Sequence, residues 1–281
     1  MESAAVVYVY SKVQCTRPIS IKYKGEIFEV PCGMCAACKI SRVREWTVRI
    51  MHEMRYFKGS VFATLTYNDE NLPINQSLEK TEFQKFMKRL RKELGDHKIK
   101  YFACGEYGED SERPHYHAII LGLAYNENTQ KLIESIWKKG FIKVGTVTKD
   151  SIRYTLDYMH KKYNGELGKE LYEKTGREPP FQLVSQGMGK RHALESANQY
   201  AENLYMTFNG KKMSLPRYYK RLYGLDKETL KTAAAERARE RVKILLDRAG
   251  GEVRRFNQVK SSSAHQRDLN IEARRQKRNK I

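Results

Sequence analysis

The segment that decides the fold runs from Ile99 to Leu121 and reads IKYFACGEYGEDSERPHYHAIIL. Its two ends are rich in β-branched, aromatic and other apolar residues, which predicts one strand over Ile99–Cys104 and another over His115–Leu121. The polar residues between them, Gly105–Pro114, predict a loop. We therefore expect the two strands to form an antiparallel hairpin.

Alternating strand and helix patterns lie on both sides of this hairpin. They predict a strand over Ser60–Tyr67, a helix capped by Ser77 and ending at Leu94, a helix over Thr129–Lys139, a strand over Phe141–Val147 and a helix over Ser151–Tyr163. The resulting order, β-α-β-β-α-β, is typical of a ferredoxin-like split βαβ fold. The sequence thus predicts an α+β protein with an antiparallel sheet and helices on one face.

Composition changes along the chain suggest three parts. Residues 1–59 hold a Cys-rich segment and an amphipathic helix over Ala36–Phe57, in which apolar residues recur every three or four positions. Residues 60–224 hold the predicted sheet and its C-terminal elaboration. Residues 225–281 are highly charged and predict a basic helical tail that is partly disordered.

The net charge of the 281-residue chain, +20 at pH 7, limits the classes of partner. A chain this basic attracts polyanions, and nucleic acid is the first candidate. No apolar run is long enough to span a membrane. The N-terminus starts with an acidic residue and lacks a long apolar stretch, so we do not expect a secretion signal.

Two histidines, His115 and His117, lie two residues apart on a predicted strand, so both imidazoles project from the same face. Glu106 ends the preceding strand and can face them if the two strands form an antiparallel hairpin. Two imidazoles and a carboxylate suit a divalent ion such as Mn²⁺ or Mg²⁺. The alternative is a pair of half-buried histidines whose hydrogen bonds are satisfied within the protein.

Two tyrosines, Tyr154 and Tyr158, share one face of the last predicted helix, and Lys161 lies close to that face. A phenolic oxygen can attack phosphorus if its proton leaves and the phosphate charge is neutralised. The alternative is an amphipathic helix whose aromatic rings pack on the sheet.

Three of the five cysteines, Cys32, Cys35 and Cys38, follow a Cys-x-x-Cys-x-x-Cys spacing. With Cys15 as the fourth ligand, or less favourably His52, they would form a structural zinc site. Free thiols and an iron–sulfur cluster are the alternatives. We expect Cys104 to be a buried strand residue instead.

Basic residues and interleaved aromatic rings predict contacts with DNA. The candidates are Arg42, Arg49, Arg113, Arg217, Tyr218 and Lys220. Charges of this kind bind phosphates, and the rings stack on unpaired bases. The alternatives are a solvated helix face for the arginines near the cysteines and a core-anchored basic turn for Arg217–Arg221.

These motifs in this order resemble the HUH endonucleases that start rolling-circle replication. Their three motifs match Phe62–Tyr67, Pro114–Ala118 and Tyr154–Lys161. The chain is more similar still to replication initiators of gokushovirus-like microviruses, which carry three further segments seen here at Pro31–Cys38, Gly105–Gly108 and Leu215–Tyr219.

The resemblance implies an enzyme that nicks one strand at an origin and rejoins it through a 5′-phosphotyrosine. Asp157 stands where such initiators often carry Lys or Arg, so Tyr158, with Lys161 three residues later, is the preferred first nucleophile over Tyr154. No Gly-x-x-x-x-Gly-Lys-Ser/Thr motif is present, since Gly187–Lys190 lacks its spacing.

The resemblance implies that no nucleotide cofactor is needed, because the phosphotyrosine conserves the energy of the phosphodiester bond. It also implies that a host helicase and polymerase complete replication in the cytoplasm of an infected bacterium. Two alternatives remain: a non-catalytic zinc-containing nucleic-acid-binding protein, and a transposase or relaxase of the HUH superfamily.

Overall fold

The computed structural model describes residues 15–23, 26–108, 111–158, 168–208 and 210–225, with single positions between 229 and 247. The chain divides into two units. The larger unit comprises residues 42–200 and 207–219, and the smaller unit takes the described residues outside those ranges. The predicted domain boundaries at residues 59 and 224 stay predictions.

The larger unit is built around one sheet. Its elements in chain order are α1 (Ala36–Met54, which begins in the smaller unit), β3 (Ser60–Thr66), α2 (Lys80–Leu94), β4 (Lys100–Tyr107), β5 (Pro114–Leu121), α3 (Glu127–Trp137), β6 (Ile142–Thr146), α4 (Lys149–Tyr158), a π-helical turn (Lys169–Glu173), β7 (Phe181–Val184), α5 (Lys190–Glu195), α6 (Ala197–Asn203), and α7 (Arg217–Leu222), which ends in the smaller unit.

The five strands follow the order β6-β3-β5-β4-β7, and every neighbouring pair is antiparallel. The first four strands have the order expected of a split βαβ fold. This confirms the predicted α+β class. The fifth strand, β7, was not predicted, because its four residues are too short to show a clear alternation.

Helices cover both faces of the sheet: α2 and α3, the helices of the two βαβ halves, share one face as predicted, and α1 and α4 cover the other face. On one face, Phe83 and Leu90 of α2 and Trp137 of α3 pack against β3 and β5. On the other, Ile50 of α1 and Leu156 of α4 pack against β4 and β5. The physical reason is visible in the central strands, whose residues are buried along most of their length and so need two covering layers.

Several element ends differ from prediction. β4 continues to Tyr107, so the loop after it is shorter than predicted. α2 begins at Lys80, and Ser77 does not cap it, because its hydroxyl accepts a hydrogen bond from the backbone of Glu178. Asn126 caps α3 by accepting from the backbone N–H of Thr129. The predicted end of α4, beyond Tyr158, lies outside the described residues.

The smaller unit contains a hairpin of β1 (Ile19–Tyr23) and β2 (Glu26–Val30), paired from Ile19↔Val30. In the larger unit, β8 (Tyr205–Phe208, which begins in the smaller unit) and β9 (Lys211–Ser214) form a separate two-stranded sheet. Described positions between 229 and 247 are helical, and the rest of the predicted tail lies outside the described residues. None of the described helices is long and apolar enough to cross a membrane.

Candidate active site and metal centres

The β4–β5 hairpin brings the predicted metal ligands together. Its register pairs Glu106 with His115 and Cys104 with His117. Paired residues of neighbouring strands project from the same face, and residues two apart on one strand share that face. The extension of β4 through Glu106 is therefore what aligns the carboxylate with both imidazoles.

One oxygen of Glu106 is the meeting point of the group. Its Oε1 lies 2.7 Å from Nε2 of His115 and 3.0 Å from Nε2 of His117. Glu106 and His117 are buried, while His115 is partly exposed. The second oxygen, Oε2 of Glu106, is buried and has no hydrogen-bond partner among the described residues.

The outer nitrogens of the two imidazoles are also engaged. Nδ1 of His115 lies 3.0 Å from the carbonyl oxygen of Arg113. Because a carbonyl only accepts, Nδ1 of His115 donates, and Nε2 of the neutral ring presents a lone pair to Glu106. Nδ1 of His117 lies 3.0 Å from the hydroxyl of Thr64. Such outer contacts orient imidazole ligands toward an ion.

This arrangement fits a cation. A neutral imidazole nitrogen and a carboxylate oxygen both offer lone pairs, so their close approach is favourable only with a positive charge between them. Burial by itself raises the pKa of Glu106. Hydrogen bonds from His115 and His117, when these imidazoles are protonated, lower it by more, so the pKa of Glu106 lies below its ordinary value. The donor set of one oxygen and two nitrogens, all within 4.8 Å of one another, also suits a divalent ion.

Tyr154 lies beside these ligands. It projects from α4, and its ring centroid lies 5.3 Å from that of His117 and 6.2 Å from that of Phe62, edge-on in both cases. Tyr154 is 39% exposed, so substrate can reach it from solvent. Tyr158 is the last described residue of α4; its side chain, like all of Lys161, lies outside the described residues.

The four predicted cysteine ligands form a second group, in the smaller unit. Cys15 precedes β1 and Cys32 follows β2, so the hairpin brings them together, while Cys35 and Cys38 lie at the start of α1. Their sulfurs all lie within 4.8 Å of one another. The sulfurs of Cys15 and Cys35 are 3.9 Å apart, close to the separation of about 3.8 Å that tetrahedral zinc with bonds of about 2.3 Å would impose.

Backbone N–H groups also point at these sulfurs. Cys35 and Met34 donate to the sulfur of Cys32, and Cys32 donates to that of Cys15. The first two bonds lower the pKa of Cys32. Donors of this kind stabilise thiolates, the form in which cysteine binds metal. Cys104 is buried in β4, apart from this group, as predicted.

Two predicted DNA-binding residues have structural partners instead. The guanidinium of Arg49 lies between the rings of Trp46 and Tyr218, at 4.1 and 4.2 Å from their centroids. Its Nε also donates to the backbone carbonyl of Met188 at 3.0 Å. Arg49 and Tyr218 therefore join α1 to the start of α7, and phosphate contacts by this pair stay a prediction.

The other candidates are distributed over the surface. Arg113 donates to the backbone carbonyl of Tyr67 and forms an ion pair with Asp69. Arg217 lies 3.8 Å from a carboxylate oxygen of Glu45. Arg42 is exposed on α1, and Lys220 is partly buried in α7. The structure thus assembles the Glu/His/His/Tyr group and, separately, the four-cysteine group, whereas of the six basic and aromatic candidates it brings only Arg49 and Tyr218 into contact.

Comparison with known proteins gives the family. The sequence model of the replication-associated protein ORF2 family matches residues 60–163. The chain is 34% identical over 217 residues to "Replication-associated protein ORF2" of Spiroplasma virus 4, which covers 68% of this chain and 67% of that protein. It belongs to the microvirus-like phage replication-associated proteins.

Two further phage proteins are similar. "Replication-associated protein VP4" of Bdellovibrio phage phiMH2K is 28% identical over 250 residues, covering 75% of this chain and 77% of that protein. "Replication-associated protein ORF4" of Chlamydia phage 1 is 27% identical over 216 residues, covering 69% of this chain and 53% of that protein. No solved structure matches. The family match begins with β3 and includes every residue of the Glu/His/His/Tyr group.

Sequence reasoning missed the residues that orient the histidines. Thr64 lies on β3 directly opposite His117, and the carbonyl of Arg113 faces His115. The signal for Thr64 was the alternation along Ser60–Tyr67, which separates the residues of this strand into two faces. Which residue lies opposite His117 depends on the register between β3 and β5. That register is a tertiary property and cannot be obtained from one strand alone.

Proposed function

We propose that this chain starts rolling-circle replication by cutting one strand of origin DNA and later rejoining it. The observation that carries the proposal is the convergence of Glu106, His115 and His117 on one point beside the exposed Tyr154. A phosphodiester, a nucleophilic hydroxyl and a divalent ion suffice for this reaction. The chain offers the hydroxyl and a set of ligands for the ion at one place.

In the cutting step, the phenolic oxygen of Tyr154 attacks the scissile phosphorus. A bond forms between that oxygen and phosphorus, and the bond from phosphorus to the 3′ oxygen breaks. The phenol proton passes to solvent, to which Tyr154 is open, and the departing 3′ oxygen takes up a proton. The products are a 5′-phosphotyrosine and a free 3′-OH. Rejoining is the reverse attack, so the bond energy is conserved and no nucleotide is consumed.

The ion would be held by Glu106, His115 and His117. When bound, Mn²⁺ or Mg²⁺ supplies Lewis-acid polarisation of the phosphate. Thr64 and the carbonyl of Arg113 hold the imidazoles in place.

The remaining roles rest on the sequence. Tyr158, which the sequence favours as the first nucleophile, is proposed here as the second, because Tyr154 is the tyrosine whose ring lies beside His117. Lys161 is proposed as a phosphate contact. A host helicase and polymerase, in the cytoplasm of the infected bacterium, would extend the 3′-OH.

We also propose that Cys15, Cys32, Cys35 and Cys38 hold a structural zinc ion. Four thiolates complete a tetrahedral shell and leave no open position for substrate. The N–H donors to sulfur and the short spacing between Cys15 and Cys35 support this assignment. The role is to fix the β1–β2 hairpin to the start of α1, and it needs no part in the cutting chemistry.

The test is a covalent adduct. The full chain is mixed with a random-sequence single-stranded DNA library and Mn²⁺ or Mg²⁺, and complexes that survive denaturation are counted and sequenced. We expect metal-dependent adducts that share one cut site and are reduced by roughly 1,000-fold or more in His117→Ala, which removes an ion ligand. Tyr125→Phe, at another exposed tyrosine, should behave as the unaltered chain.

The same assay separates this proposal from its alternatives. Tight DNA binding without an adduct, under any metal, would contradict the nuclease and favour a non-catalytic binding protein. A shared cut sequence that matches a transposon end or a transfer origin, and not a phage origin, would favour a transposase or relaxase instead.

A further inference from the structure

An exposed aromatic ring lies directly before the edge strand β6, on the same face of the sheet as the proposed active site. Phe141 immediately precedes β6 and is 73% exposed, in contrast to the buried Phe83, Phe86 and Phe102. Its backbone carbonyl accepts hydrogen bonds from both the N–H and the hydroxyl of Thr66. A single exposed apolar ring is common on protein surfaces, so the case for a binding surface rests on where this ring lies.

The register fixes the position of Phe141 relative to the histidines. Thr66 pairs with His115 on one side and bonds to Phe141 on the other. The three residues therefore form one row across the sheet, with Glu106 at its far end. Neighbouring strands are about 4.8 Å apart, so Phe141 lies roughly 10 Å from His115 along the row.

The next row across the sheet places a positive charge, that of Lys143, on the same edge strand. Thr64 pairs with His117 on β5 and with Lys143 on β6. Lys143 is exposed and forms no ion pair with any described residue. It shares the face of Phe141, since the two are two residues apart on one extended segment.

Among the described residues, the space above Gly145 on this strand is open. A side-chain carbon added at Gly145, the third residue of the same face, would meet no atom of the described residues within 4 Å. α4 packs on β4 and β5, and the described helix that packs against β6 is α3, on the opposite face. Phe141, Lys143 and Gly145 thus form an uncovered lane, which we name the β6 lane, beside the Glu/His/His group.

The backbone that presents the ring is held in place. Gly140 has a φ of 151°, and a side-chain carbon there would lie 2.3 Å from the backbone nitrogen of Asn68. That nitrogen donates to the carbonyl of Lys139 at 2.9 Å. The turn before β6 therefore packs directly on the end of β3, and the exposure of Phe141 is a fixed feature of the fold.

We propose that the β6 lane binds unpaired nucleotides next to the scissile phosphate, with a base stacked on Phe141 and a backbone phosphate on Lys143. A ring and a cation side by side are the elements by which proteins hold single-stranded nucleic acid. The net charge of +20 favours a nucleic acid over a second copy of this chain. The inference rests on the proposed function, because it assigns that reaction's substrate a binding track.

The first test is photocrosslinking. The full chain with Tyr154→Phe, which blocks cutting there, is irradiated with an oligothymidylate of about 20 nucleotides that carries 5-iododeoxyuridine. The linked peptides are identified after trypsin digestion. We expect a linked peptide of residues 140–143, lost in Phe141→Ala. Its absence from the chain with an intact Phe141 would overturn the proposal.

The second test is affinity for fluorescein-labelled oligothymidylate. Phe141→Ala and Lys143→Ala should each raise Kd about 10-fold, whereas Phe141→Trp and Lys143→Arg should stay within about 3-fold. Lys143→Ala should reduce the slope of log affinity against log salt by about 0.7, and Phe141→Ala should leave it unchanged. Tyr125→Ala and Lys98→Ala, at exposed positions beyond the opposite end of the hairpin, are the matched controls.

Both tests are independent of DNA cutting. If the β6 lane variants bind as tightly as the controls, the lane is not the track, whatever the adduct assay shows. If the lane binds DNA but the unaltered chain forms no adduct, the proposed nuclease fails and the binding surface stands.

Discussion

The two groups of metal-ligating residues in this chain are built in opposite ways. Cys15 and Cys32 flank a hairpin, and Cys35 and Cys38 begin a helix; among the described side chains of residues 15–41, Cys38 is the only buried one. Glu106, His115 and His117 instead project from two central strands whose other residues fill the core. We therefore expect the first group to need a bound ion to hold its hairpin in place, whereas the sheet positions the second group by itself.

The largest expected effect comes from removing the ion from the four cysteines. Binding of structural zinc is worth about 10–16 kcal/mol in small domains, far more than this short hairpin can gain from packing. We predict that Cys35→Ser abolishes zinc binding and removes hydrogen-exchange protection from β1 and β2, while β3–β6 keep theirs. Metal analysis and hydrogen exchange by mass spectrometry measure both.

Cys104→Ala is the control for that experiment, since it removes a buried thiol from the sheet without touching the four-cysteine group. If the hairpin stays protected in Cys35→Ser, then packing alone holds β1 and β2 in place and no ion is needed there.

A smaller effect is expected where the sheet orients a ligand. Thr64→Val keeps the shape and strand preference of the residue but removes the hydroxyl that contacts Nδ1 of His117. Loss of such a contact weakens metal binding by about 10- to 100-fold. We predict this weakening for Mn²⁺, measured by calorimetry, with a thermal midpoint that shifts by no more than about 2 °C.

Thr66→Val is the matched variant, because Thr66 lies on the same strand and face but its hydroxyl bonds to the carbonyl of Phe141. Equal Mn²⁺ affinities for the two variants would mean that Thr64 has no orienting role.

The smallest expected effect is on how the free energy of unfolding depends on pH. His52 and His192 lie side by side in the larger unit, 3.8 Å between ring centroids, and Arg55, Glu195, Tyr219 and Tyr200 are their other polar or charged neighbours. Burial, followed by the charges of His192 and Arg55, lowers the pKa of His52 to about 3. The folded state therefore keeps His52 neutral where the unfolded chain takes up a proton.

Stability must then fall as pH drops below about 6.5 toward 3, by about 1.4 kcal/mol per pH unit for each such histidine. We predict that His52→Gln, which keeps a polar partner for Tyr219, reduces this pH dependence. Urea unfolding of the metal-free protein at pH 7, 6 and 5 measures it. An identical pH slope in the variant would show that His52 is not responsible.

How far the sequence predicted this molecule depends on the range of the contacts. The strands, helices and their order followed from local periodicity, and the His-x-His pair followed from alternation. The place of Glu106 opposite the histidines followed only from the assumption of an antiparallel hairpin, because the polar segment Gly105–Pro114 shows no apolar pattern and its first three residues extend β4 through pairing with β5.

The second covering layer of helices was missed for a similar reason. A strand buried on both faces and one buried on a single face can carry the same short run of apolar residues, as in Ala118–Leu121. Phe141 and Lys143 looked like ordinary strand residues, since only the strand order of the sheet places them beside the histidines.

If Glu106, His115 and His117 form one nuclease site with Tyr154, then Tyr154 is the residue that becomes joined to DNA. Trypsin cuts after Arg153 and Lys161, so one peptide, residues 154–161, contains both tyrosines. We predict that tandem mass spectrometry of the adduct finds the phosphodiester on Tyr154, with Tyr158 as the second site. Attachment to a residue outside this peptide, or no covalent attachment with any divalent ion, would rule out the proposed nuclease site.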